Sequence, residues 1–189
     1  MASVLSSQGP FHAVNFFERL EDLCSLVEEF VSSGAGGAVL IVACPEHRSA
    51  IVETLNARGF DWRSMESAGR WTVLDADTTL NAFMVDGHPD AERFAASVGA
   101  RVAAATADPE VPLRIYGEMV NLLWGRGQRT AALELEALWN RLAATHAFAL
   151  LCGYAAATVR DDQGLASIDA QHSHALSVLG PPAMPYPAP

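Results

Sequence analysis

Two short, unbroken apolar runs constrain this chain most: AVLIVAC at residues 38–44 and FALLCGY at residues 148–154. Neither alternates polar with apolar residues, and the first is rich in β-branched side chains. Such runs read as strands buried on both faces, which demands helices above and below the sheet. Between and around them lie segments of helical periodicity. Strands alternating with helices predict an α/β domain: a mostly parallel sheet with right-handed crossovers and helices on both faces, three layers in all.

The elements can be placed along the chain. Residues 13–32 carry Phe16, Phe17, Leu20, Leu23, Leu26, Val27 and Phe30 at spacings of three or four, which predicts a first helix stopped by Gly34, Gly36 and Gly37. After AVLIVAC, Pro45 opens a helix that closes near Gly59. A second strand is expected at 71–75. DADTTLNAFM then starts a helix, with Asp77 or Thr78 as its cap. DGHPD, residues 86–90, reads as a turn with Pro89 at a first helical position, and a helix follows to about Thr106. VPLRIYGE is a third strand and FALLCGY a fourth. Between these two lie a short helix ending at Gly125 or Gly127 and a longer amphipathic one through Leu133, Leu135, Leu138, Trp139 and Leu142. ASIDAQHSHALSVLG suggests one more helix. We therefore expect a flexible lead at 1–10, one domain over 11–178, and a proline-rich tail at 179–189.

With 189 residues, half of them hydrophobic, the chain can bury a sizeable core. Its formal net charge of -10 repels phosphate backbones, so direct nucleic-acid binding is not expected. The three cysteines, Cys24, Cys44 and Cys152, are far apart and form neither a disulfide framework nor a zinc-ligand spacing. No signal peptide and no membrane span is expected, and a reducing cytoplasm suits the free thiols.

Ligands of open parallel sheets bind beyond the carboxyl ends of the strands. The candidate ligand-binding residues there are Cys44, His47, Asp75, Tyr116, Glu118, Cys152 and Tyr154. They mix thiols, aromatics and acids, which suits a small, partly apolar molecule better than an anion. A phosphate loop would follow the strand at 38–42, but ACPEHRSAI has neither its glycines nor its lysine, and Glu46 repels phosphate. For Glu118 two roles stand side by side: positioning a ligand, water or cation, or capping the helix that follows it. His172 and His174, in QHSH, read as surface histidines, as does His12, and no metal site is expected. Trp124 and Trp139 read as core. No Gly-x-Ser-x-Gly elbow and no His-Glu-x-x-His appears, and no catalytic residue is named.

Taken together, HAVNFF with His12, the strand AVLIVAC, the Leu55–Asp61 stretch ending in GFD, LDADTTLNAFMVDGHPD, YGEMVNLLWGRG, LEALWNRL and FALLCGY resemble the MEDS (methanogen/methylotroph, DcmR sensory) domain family. The resemblance runs from His12 to Leu176, about nine-tenths of the chain. It implies a degenerate relative of the RecA/KaiC ATPase fold, a RecA-like three-layer sandwich without its phosphate loop. It further implies a non-catalytic sensory or regulatory domain in bacterial signal transduction, needing no cofactor. Such a domain is expected to bind a small ligand, for example a hydrocarbon-derived one, and to signal through a partner such as a histidine kinase or transcription regulator. No kinase core or DNA-binding motif fits the tail, so output is expected to pass through that partner, unless the chain is part of something larger; a homodimer is a further candidate assembly. Two alternatives remain: a KaiC-like nucleotide-binding module without hydrolysis, and an enzyme using Glu118 with a histidine. The missing glycines and lysine at 43–50 set the first test. Isothermal titration with Mg-ATP is expected to show no site tighter than about millimolar, roughly 4 kcal/mol; a micromolar site would favour the nucleotide module.

Overall fold

A computed structural model describes residues 5, 7, 9–34, 36–159 and 161–177. The expected tail at 179–189 lies outside the described residues. The core is a six-stranded sheet in the order β3-β2-β6-β7-β1-β8, with every neighbouring pair parallel. Its strands are β1 (Phe11–Phe17), β2 (Ala38–Ala43), β3 (Trp71–Asp75), β6 (Leu113–Gly117), β7 (Phe148–Ala155) and β8 (His174–Ser177). Helices cover both faces, so the three-layer α/β expectation holds.

Each face has its own core. On one face α1 (Leu20–Ser32) and α2 (Pro45–Ala57) pack Leu23, Val27, Phe30, Ile51 and Leu55 against Val39, Ile41, Tyr116 and Leu151. On the other face lie α4 (Ala76–Asn81), α7 (Met119–Gly125), α8 (Arg129–Ala143) and α9 (Asp162–Asp169). There Leu80, Leu123, Leu135, Trp139 and Ile168 pack on Val14, Leu40, Ile115, Leu150 and Tyr154. Trp124 and Trp139 are core residues as expected, 4% and 1% exposed.

The connections explain the layering. From β1 to β2 to β3 the chain steps one way across the sheet, with α1 and α2 on one face; from β3 onward it steps back, with helices on the other. Right-handed crossovers require this exchange of faces. The carboxyl end of β2 therefore turns toward one layer, while those of its neighbours β3 and β6 turn toward the other. A crevice is expected where neighbouring strand ends part in this way.

Four local expectations are corrected. Residues 11–17 form strand β1, not the start of a helix; α1 begins only at Leu20. This central strand is buried along almost its whole length, so it lacks the alternation that marks a half-exposed strand. The cap of α4 is Asp75, which accepts from the Thr78 amide at 2.8 Å, not Asp77 or Thr78. Residues 84–89 form a hairpin, β4 (Met84–Val85) and β5 (His88–Pro89), turned through Asp86 and Gly87, both at positive φ. Pro89 thus lies in a strand; Asp90 caps α5 (Ala91–Phe94), which runs through a π-helical turn, Ala95–Gly99, into α6 (Ala100–Ala105). Finally, the HSHAL segment leaves α9 and adds edge strand β8 beside β1. The short helix α3 (Trp62–Ser67), capped by Asp61, precedes β3.

Within the expected lead, Leu5 is packed in the core at 2% exposure. The buried Arg114 donates to the carbonyls of Leu5 and Ser7. One glycine is dictated by a close approach. A Cβ at Gly153 on β7 would stand 2.6 Å from the Tyr116 hydroxyl oxygen. Tyr116 is fully buried and cannot swing away freely. Gly153→Ala is expected to lower stability by about 1–3 kcal/mol, the usual cost of overpacking. Urea denaturation checks this; a change under about 0.5 kcal/mol would show that the ring has room to move.

Candidate functional site

The strand ends around β2 are organised by Glu118, 1% exposed, the residue just past β6. Its amide donates to the Val42 carbonyl at 3.1 Å, which fixes it against β2. One carboxylate oxygen accepts from the Cys44 amide at the N-terminus of α2, and the other lies 2.6 Å from His47 Nδ1. The Tyr116 hydroxyl donates to that second oxygen at 3.4 Å. Glu118 does act as a helix-end carboxylate, but at α2; it makes no side-chain cap to its own following helix, α7. The partial positive charge at a helix N-terminus favours such an anion.

The electrostatics follow from this arrangement. His47 has a raised pKa, chiefly through its hydrogen bond to Glu118, with burial opposing. Burial pushes the Cys44 thiol up, and pushes the Tyr116 hydroxyl well above its ordinary value with the Glu118 charge adding to it. Phe17 sets its ring edge-on to His47 at 5.6 Å, giving the centre an apolar wall. Asp75 lies at its rim, 4.0 Å from Arg48, and its carboxylate is engaged in capping α4.

Cys152 and Tyr154 do not join this group. In parallel strands, neighbouring residues of a strand face opposite sides. Tyr116 pairs with Leu151 and shares its face, whereas Cys152 pairs with Gly117 and points to the other. There Cys152 and Tyr154 meet Glu136 of α8, together with His12 and His172, which are thus not surface histidines. Glu136 is fully buried, His12 is 7% exposed and the His172 side chain is 0% exposed.

The Tyr154 hydroxyl donates to Glu136 Oε1 at 2.8 Å. His12 Nε2 stands 3.3 Å from Glu136 Oε2 and 3.3 Å from Cys152 Sγ, and His172 Nε2 is 3.4 Å from Glu136 Oε1. Burial alone would raise the Glu136 pKa, but the two imidazoles outweigh it and hold the carboxyl well below its usual range. Burial opposes charge on His172, yet Glu136 and the Ile168 carbonyl raise its pKa on balance. Burial and the Glu136 charge push Cys152 and Tyr154 well up.

One signal of this second centre is legible in the sequence. Glu136 falls inside the apolar stripe of α8, between Ala132, Leu135 and Trp139, where a charge must find partners. His12 stayed hidden because its strand reads as helix.

The family model of the MEthanogen/methylotroph, DcmR Sensory domain matches residues 11–174. The chain belongs to the MEDS family. No curated protein matches it. The matched span of the MEDS domain holds both centres, from His12 to His172. A cleft of about 160 Å³ opens elsewhere, at the amino ends of β6 and β7, between Pro10, Thr106, Pro112 and Phe148. No helix among the described residues is long and apolar enough to cross a membrane.

Two outcomes test the Glu118 centre. Glu118→Ala strands the Cys44 amide, His47 and the Tyr116 hydroxyl, and is expected to cost roughly 3 kcal/mol of stability. Glu134→Ala, at a 44%-exposed carboxylate paired with His88, is expected to cost no more than about 1 kcal/mol. Equal small losses in urea denaturation would remove Glu118 from any key role.

The second outcome is pH dependence. A group whose pKa is raised by folding stabilises fully below its unfolded pKa and loses that contribution as pH rises through the folded value. The stability difference between wild type and His47→Gln should be largest below about pH 6.5 and shrink above it. A difference that stays flat with pH would mean that His47 is neutral in the fold.

Proposed function

We propose that this MEDS domain is a non-catalytic sensor whose ligand-responsive centre is Glu118 with His47, Cys44 and Tyr116, at the carboxyl ends of β2 and β6. One observation carries the reading: the protein's own carboxylate rests on the N-terminus of α2. In α/β domains that bind phosphates, the helix after such a strand offers its amides to the ligand anion. Here Glu118 already takes the Cys44 amide, and a phosphate would meet a buried negative charge. A nucleotide is therefore disfavoured, and a small neutral molecule with an apolar part suits Phe17, Tyr116 and the half-buried Cys44 and His47.

A carboxylate with both oxygens already bonded is a poor nucleophile, which supports a non-catalytic role for Glu118. A ligand that competes for either bond would loosen the joint between β6 and α2. That change is the signal we assign to a protein partner, a histidine kinase or a transcription regulator. We place the domain in the cytoplasm, where the free thiols Cys24, Cys44 and Cys152 stay reduced.

The test uses dichloromethane and short-chain alcohols as probes in an NMR titration. Binding at this centre should shift the amides of Cys44 and Glu118 and the His47 ring, and Tyr116→Phe should weaken the response. Shifts confined to the cleft near Thr106 and Phe148 would move the site to the amino ends of the strands. Saturable binding of Mg-ATP at micromolar concentration would replace this reading with a nucleotide module.

A further inference from the structure

The second centre points to a ligand of a different kind. We propose that His12, Glu136, Cys152 and His172 form a buried binding site for one divalent metal ion, of the zinc type. The four donor atoms lie within 4.8 Å of one another. His12 Nε2 to Glu136 Oε2 and His12 Nε2 to Cys152 Sγ are both 3.3 Å, and Cys152 Sγ to Glu136 Oε2 is 3.5 Å. Zinc bonds of about 2.0–2.1 Å to nitrogen or oxygen and about 2.3 Å to sulfur give tetrahedral edges of about 3.3–3.6 Å. The spacings among His12, Glu136 and Cys152 are therefore those of ligands around a common centre, and His172 Nε2 stands 3.4 Å from the other carboxylate oxygen, Glu136 Oε1. Two imidazoles, a thiolate and a carboxylate are also the donor chemistry that zinc takes.

The hydrogen bonds behind the ligands strengthen the assignment. The Asn140 amide nitrogen donates to the Gln171 carbonyl at 3.0 Å, which turns Asn140 Oδ1 toward His12. His12 Nδ1, 2.9 Å from that oxygen, must then donate, so the proton of a neutral ring is on Nδ1. His172 Nδ1 lies 2.7 Å from the Ile168 carbonyl and must donate as well. In their neutral forms both rings thus turn an unprotonated Nε2 into the cluster, the pattern by which outer partners orient ligating histidines. The Tyr154 hydroxyl plays the corresponding part for Glu136.

Without a cation this arrangement is poorly satisfied. With neutral rings, two nitrogen lone pairs face one carboxylate, and the buried His172 Nε2, 3.4 Å from Glu136 Oε1, makes no hydrogen bond. Protonating both rings would bury two imidazoliums with centroids 4.2 Å apart. Protonating His172 alone balances the charge, but it leaves His12 Nε2 opposed to Glu136 Oε2 at 3.3 Å. A divalent ion resolves all of this at once. Its two charges offset the Glu136 carboxylate and a Cys152 thiolate, and the thiol proton passes to solvent as the metal binds. The complex is then neutral, which suits its burial. The ligands come from β1, α8, β7 and the turn before β8, so the ion would clamp the edge of the sheet to the helical layer.

The whole chain, purified without metal-chelating resin, should carry about one zinc per molecule. After chelation, cobalt(II) should bind one to one, giving the visible bands of a tetrahedral site and a near-ultraviolet thiolate charge-transfer band. Cys152→Ala should abolish the charge-transfer band, and His172→Gln should weaken cobalt binding at least tenfold. His174→Gln, on the exposed neighbour, should leave both unchanged. Because Cys152→Ala opens the core, the wild-type chain supplies an independent reading: zinc-edge X-ray absorption should show one sulfur among nitrogen and oxygen ligands. A folded wild-type chain that takes up no cobalt overturns the proposal. So does a charge-transfer band that persists in Cys152→Ala, or a metal-free chain whose His172 carries two ring protons and whose melting temperature zinc does not change.

Discussion

The joint that the carboxyl edge of the sheet depends on is the contact between Glu118 and the start of α2. A strand end, a helix end and a side chain meet there, and each arrives with polar groups that burial would leave bare. The Cys44 amide is among the orphan donors of a helix start. Glu118 supplies the acceptor from a neighbouring strand 74 residues away in sequence. A single carboxylate thereby ties β6 to α2 across a crevice that crossover geometry would otherwise open.

Glu118 and Glu136 solve one problem by different means. Both are buried acids, and neither is tolerable alone. Glu118 is neutralised by a helix terminus and one imidazole at a half-buried rim. Glu136 lies deep between sheet and helix, and draws on two imidazoles, a thiol and a phenol. The first arrangement leaves His47 reachable from outside; the second is sealed. This difference in access is why a small-molecule role fits the Glu118 centre and a permanently held ion fits the other.

The fold was largely legible because buried parallel strands write themselves as short apolar runs. AVLIVA, WTVLD, LRIYG and FALLCGY lie where the runs put them. The strands β1 and β8 were not legible, for physical reasons. FHAVNFF is buried along its length and abuts a true helix, so its apolar residues merge with the helical period of α1. HALS is an edge strand of four residues, too short to show a pattern. Of the site residues, Cys44, His47, Tyr116 and Glu118 came together as expected, since all follow from the carboxyl ends of β2 and β6. Cys152 and Tyr154 went elsewhere because position along a strand does not decide the face; parity does. The partners His12 and His172 come from opposite ends of the chain, and the pairing of β1 with β8 brings them together.

β7 holds both centres in register. Cys152 and Tyr154 point to the Glu136 side, while Gly153 between them faces the other way and lies under the Tyr116 hydroxyl. Any side chain at 153 would press on Tyr116, which in turn donates to Glu118. A slip of β7 by one residue would invert every face at once. Cys152 would then turn toward Tyr116, and the Glu136 cluster would lose its thiol and its phenol together. The apolar packing on either side of FALLCGY could tolerate some exchange among alanine and leucine. The polar centres cannot, because each needs one particular atom on one particular face. They therefore fix the alignment of the central strand more sharply than its hydrophobic residues do.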